Sequence, residues 1–73
     1  MKRIPVAAPS IISIGWENET MEIEYRGGTV KAYLDVPYVE YCSFLNSAAP
    51  GAALTHFLKQ HPDGNSLNLA NNI

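Results

Sequence analysis

The chain is poor in cysteine, poor in positive charge, and without any long apolar run. Its one thiol, Cys42, excludes an internal disulfide and provides no second thiol for a zinc knuckle. No stretch approaches the about 20 apolar residues that span a bilayer. Met1-Lys2-Arg3 has the charged start of a signal peptide, but Pro5 and Pro9 interrupt the residues after it. These features predict a protein of the reducing cytoplasm, with no membrane partner. Lysine and arginine total 5 against 7 acidic residues. Lys2 and Arg3 belong to the leading segment, so the body carries only Arg26, Lys31 and Lys59. Grip on a nucleic-acid backbone needs a basic patch that neutralises several phosphates. Extended RNA or DNA is therefore not the expected partner.

Size sets the next bound. A chain of 73 residues makes one small domain, and such a domain buries only about 60% of the surface its unfolded chain exposes. Disulfides, metals and oligomerisation are the usual remedies for a thin core. The first two have no residues here, so a homo-oligomer is expected.

What is present is strand and helix pattern. Residues 1–9 carry two prolines without periodicity and read as a leading arm. Ile11, Ile12 and Ile14 form a β-branched run ended by Gly15 and Trp16. After the polar turn Glu17-Asn18-Glu19, Met21, Ile23 and Tyr25 alternate with Thr20, Glu22, Glu24 and Arg26, a half-buried strand. Gly27-Gly28 supplies the positive φ angles of a tight hairpin. The third strand is expected to turn Val30, Ala32 and Leu34 inward, with Lys31 and Tyr33 outward. Asp35-Val36-Pro37 reads as a helix start, with Asp35 placed to cap it. Tyr38, Tyr41, Cys42 and Leu45 form its apolar stripe. Ser47 before Pro50 opens a second helix through Ala53, Leu54, Phe57, Leu58 and His61, stopped by Pro62. The predicted architecture is α+β: a three-stranded antiparallel meander with two short helices on one face, over residues 10–62. Residues 63–73 are asparagine-rich. They read as a frayed tail, or, from the alternation of Leu67 and Leu69, as a strand pairing with its own sheet or a neighbouring subunit.

No catalytic constellation is visible, and the chain is not expected to be an enzyme. Cys42 sits on an apolar stripe, where a thiol behaves as a small hydrophobe rather than a nucleophile. His56 and His61 lie five apart on one helix, about 140° round the wheel, and cannot readily share a metal. Neither a metal nor a cofactor is expected. Glu22 and Glu24 share a strand face, as solvated residues do. Binding chemistry is better represented. Trp16, Tyr33 and Tyr38 are flat surfaces for stacking, and Arg26 and Lys31 flank the Gly-Gly turn, where each could meet a phosphate. These five are the candidate ligand-binding residues, and two cations with aromatics suit a small anionic ligand such as a nucleotide.

The stretch Ser13-Ile14-Gly15-Trp16, the alternating second strand, the glycine turn, an aromatic strand closing in Val36-Pro37, and two helices around Gly51 together resemble the KTSC domain. That family occurs at the end of some lysyl-tRNA synthetases and as small free-standing bacterial and phage proteins, and its activity is unknown. The resemblance covers about Val6 to Pro62. The family's Tyr-x-Tyr falls on Lys31-Ala32-Tyr33, and its Ser-x-Gly on Ala49-Pro50-Gly51, so one aromatic and one hydroxyl are missing. The combined expectation is a non-enzymatic, homo-oligomeric binding protein. Its concrete form, for a phage-encoded chain, is sequestration of a small nucleotide messenger in counter-defence. The alternatives are an RNA-binding accessory module, which the synthetase association implies, and an acidic protein–protein inhibitor using Glu17, Glu19, Glu22 and Glu24.

Overall fold

The structure, a computed structural model, describes residues 2–62 and 64–66. Its frame is the expected meander: β2 (Ile11–Glu17), β3 (Thr20–Tyr25) and β4 (Val30–Tyr33), each antiparallel to the next. Helices α1 (Tyr38–Leu45) and α2 (Pro50–Gln60) come next. The α+β class is therefore as predicted, but the sheet is wider. Arg3–Pro5 of the leading arm form β1 on the free edge of β2, and Asn65–Ser66 form β5 beside β4, giving the order β1-β2-β3-β4-β5. Pro5 suits an edge strand, where its missing N–H faces no ladder partner. Leu67 and Leu69 of the predicted tail strand lie outside the described residues.

Gly15 makes room for β1. A Cβ there would stand 2.7 Å from the Lys2 carbonyl oxygen and 2.9 Å from Arg3 Cγ. The Arg3 guanidinium reaches Glu22 Oε1 at 2.9 Å, on the sheet face away from the helices. On that face Ser13 also donates to Glu24 Oε1 at 2.8 Å. Gly27 and Gly28 adopt the expected positive φ values of 100° and 93°.

The core lies between the sheet and the helices. Ile11, Ile14, Met21, Ile23 and Val36 are fully buried, joined by Tyr33, Tyr41, Phe44 and Phe57. The inward set of β4 corrects the sequence expectation. Tyr33 pairs with Met21 and Lys31 with Ile23, so these two take the core face, while Ala32 faces Glu22 and Val30 faces Glu24. Tyr33 is 2% exposed and Leu34 is 57% exposed. The reason is area: a tyrosine ring removes far more apolar surface from water than the alanine beside it. The stripe of α1 is rotated too. Tyr41 and Phe44 are its buried residues, whereas Tyr38 is 58% exposed.

Asp35 does not cap α1. It takes a left-handed φ of 58°, and Pro37 occupies the cap position without a side-chain hydrogen bond. At α2, Ser47 Oγ accepts from the Ala49 N–H at 3.1 Å, and Pro50 then opens the helix. Among the described residues no helix is long and apolar enough to cross a membrane.

Candidate functional site

Two of the five predicted binding residues meet. Trp16, on β2, and Tyr38, at the start of α1, stand edge to face with centroids 5.0 Å apart, and Tyr41 stacks on Trp16 at 6.4 Å. Trp16 Nε1 donates to the Val36 carbonyl at 2.8 Å, while the Val36 N–H donates to the Glu19 carbonyl at 2.9 Å. These bonds clamp the β2–β3 turn to the loop before α1 and hold the indole in place. Burial, then the charge of Cys42, raises the Tyr41 phenol above the ordinary tyrosine range. The neighbouring Cys42 thiol, one turn along α1, raises Tyr38 as well. The aromatic pad is therefore uncharged at neutral pH.

The other three predicted residues stand elsewhere. Tyr33 is in the core, its hydroxyl 2.7 Å from that of Tyr25 and its ring edge-on to Phe57 at 5.1 Å. Arg26 Nε donates to the Pro9 carbonyl at 2.7 Å, which ties the guanidinium to the arm. Lys31 faces Ile23 across the ladder, so the two cations do not flank a shared pocket. Ser13 and Tyr33 lie on opposite sheet faces.

One concavity was missed by sequence reading. A groove of about 350 Å³ runs between α1 and α2, near the lower end of the range of about 300–1,000 Å³ for small-molecule sites. Its apolar lining is Phe44, Ala53 and Phe57 with the exposed Val39, and the two phenylalanine rings stand edge to face at 6.1 Å. Its rim is polar, with Glu40, Ser43 and Ser47 from α1 and the turn after it, and His56 and Gln60 from α2. His61, just after α2, contacts two of these residues. Its Nε2–H donates to Glu40 Oε1 at 2.7 Å, and its ring stacks on Phe57 at 4.6 Å. Gln60 Nε2 lies 3.3 Å from His56 Nε2, one turn earlier. The signal for this groove was present: Glu40 and Ser43 share one side of α1, and His56 and Gln60 one side of α2. Finding it needed the crossing of the two helices, which periodicity does not give. Among the described residues no cluster of three metal-ligating side chains occurs.

The order of strands and helices around this groove matches a known family. The KTSC domain model covers residues 9–61. The chain belongs to the KTSC domain family. A solved relative, the KTSC domain protein YPO2434 from Yersinia pestis, shares 27% sequence identity with a TM-score of 0.76, over 93% of this chain and 96% of that one. Among curated proteins no similar sequence is found. Strands β2 to β4 and both helices of this KTSC chain lie within the family match, and β1 and β5 lie outside it.

Proposed function

We propose that this KTSC protein is a non-enzymatic binding module that self-associates through the head of α1 and offers the α1–α2 groove to a small ligand. One observation carries the reading. Leu34, Tyr38 and Val39 are 57%, 58% and 70% exposed within one six-residue stretch. Large apolar side chains gathered in this way mark contact surfaces on a small domain. Ten core residues cluster within a single chain, so a thin core no longer supplies the motive for assembly; the exposed patch does.

The groove favours a ligand less anionic than a nucleotide messenger. Its lining has a carboxylate and no lysine or arginine; Arg26 is tied to the Pro9 carbonyl, and Lys31 stands opposite Ile23 on β4, outside the groove. The RNA-module reading loses support for the same reason, since Arg3 is also paired, with Glu22. The acidic-inhibitor reading is weakened because Glu22 and Glu24 bond within the sheet face while Glu19 sits in the turn. Sedimentation velocity over the micromolar range tests the assembly. A species larger than the monomer, reduced to monomer by Val39→Glu or Leu34→Glu, is expected; a wild-type monomer throughout overturns the reading.

A further inference from the structure

We infer that the α1–α2 groove is a site for a small aromatic monocation, a single ring carrying one ammonium or amidinium group. This rests on reading the chain as a binding protein and adds the chemical class of its ligand. The apolar lining supplies flat contact, with Phe44 and Phe57 edge to face at 6.1 Å and Val39 and Ala53 beside them. A ring laid there is held by area and by the quadrupoles of the phenylalanines.

Charge selects the rest of the ligand. Among the described residues Glu40 is the only carboxylate lining the groove, and neither lysine nor arginine borders it. Glu40 is anchored from one side, its Oε1 accepting from His61 at 2.7 Å, and no other hydrogen bond to its carboxylate is made among the described residues. Oε2 is therefore available as an acceptor at the edge of an apolar floor. A cation placed there gains a charge-assisted hydrogen bond, while an anion meets a like charge in a partly desolvated site. Ser43 lies one turn along from Glu40 and adds a hydroxyl to the same rim. A volume of about 350 Å³ fits a one-ring compound rather than a folded partner.

Three probes with the same phenol ring and different charge test this: tyramine, tyrosol and 4-hydroxyphenylacetate, titrated into the labelled protein and followed by amide chemical shifts. Tyramine is expected to bind about tenfold or more tightly than 4-hydroxyphenylacetate, with tyrosol between. Shifts should centre on Val39, Ser43, Ala53 and Gln60. Glu40→Gln retains an oxygen for His61 and should reduce tyramine to the affinity of tyrosol. Ala53→Trp should fill the floor and abolish all three. Equal affinities, preference for the anion, shifts elsewhere, or no binding by any probe overturns the inference. Val39 belongs to both the exposed patch and the groove lining, so the titration is repeated on Leu34→Glu, a residue outside the groove: a wild-type monomer that binds tyramine removes the assembly alone, and a Leu34→Glu protein that binds none of the probes removes the groove alone.

Discussion

The hydroxyls of Tyr25 and Tyr33 lie 2.7 Å apart, joining the end of β3 to the end of β4. Burial first, and then the hydrogen bond and charge of Tyr33, push the Tyr25 phenol far above its ordinary value of 10.0. The folded state therefore holds this proton more tightly than the unfolded one. Below the ordinary value both states are protonated and the contribution to stability is complete. As pH climbs past it, the unfolded chain ionises first and stability falls. Thermal unfolding followed by circular dichroism should show a midpoint that declines above about pH 10. Tyr25→Phe should flatten that decline, at a cost of about 0.5–1.5 kcal/mol at neutral pH, because Tyr33 loses its partner. A wild-type midpoint that is level through the alkaline range counts against this account.

The β2–β3 turn stores strain that one substitution should relieve. Asn18 and Glu19 have φ values of 50° and 60°, the pair of left-handed residues that a two-residue hairpin loop demands. Asparagine tolerates this geometry; for a glutamate the Cβ costs about 1–2 kcal/mol. Its carbonyl is the part that works, accepting from the Val36 N–H at 2.9 Å, and glycine keeps that carbonyl. Glu19→Gly is expected to raise stability by about 0.5–1 kcal/mol in urea unfolding, the looser unfolded chain taking back part of the gain. A net loss would show that the Glu19 side chain makes a contact of its own.

Legibility tracked physical scale. Local rules were enough for the hairpins, for Pro50 opening α2, and for the meander, because alternation and turn chemistry act within a few residues. They failed where two long-range terms competed. Val30, Ala32 and Leu34 look like the inward set of β4 by hydropathy, yet Tyr33 wins the core through ring area and its contacts with Phe57 and Tyr25. Strand β1 was illegible because three exposed residues, one a proline, carry no period; what creates it is the bare Cα of Gly15 across the ladder. The site divided in the same way. Trp16 and Tyr38 look like stacking surfaces in the sequence and do meet, but only distance from a turn links Arg26 with Lys31. That distance ignores the Pro9 carbonyl that holds Arg26. The groove depends on how α1 crosses α2, which neither helix encodes alone.

Two glycines offer opposite outcomes for one substitution. At Gly64 a Cβ would stand 2.5 Å and 2.7 Å from atoms of the Tyr33 ring, which is pinned in the core. Gly64→Ala must push the chain leading into β5 off β4, at about 1–3 kcal/mol. At Gly51, in the first turn of α2, a Cβ meets nothing within 4 Å. Gly51→Ala is expected to stabilise by up to about 1 kcal/mol through helix propensity. Chemical denaturation of the pair reads both, and hydrogen exchange at Lys31 and Ala32 should rise only in the Gly64 variant. Equal effects from both would mean that β5 is not seated on Tyr33.

Trp16 reports on the proposed assembly from inside the protein. It is the sole tryptophan, held by its 2.8 Å bond to the Val36 carbonyl and placed edge-on to the exposed Tyr38 ring at 5.0 Å. A second copy seated on Leu34, Tyr38 and Val39 would displace water from beside the indole without moving it. Emission should therefore shift to shorter wavelength as concentration rises, over the same range in which sedimentation detects association. Val39→Glu should remove the concentration dependence and leave the monomer spectrum in place, since Val39 is 70% exposed and supports no part of the core. Association with an unchanging spectrum would relocate the contact to another face. The open edge of β1 is then the next candidate, because the outward backbone groups of an edge strand are free to pair.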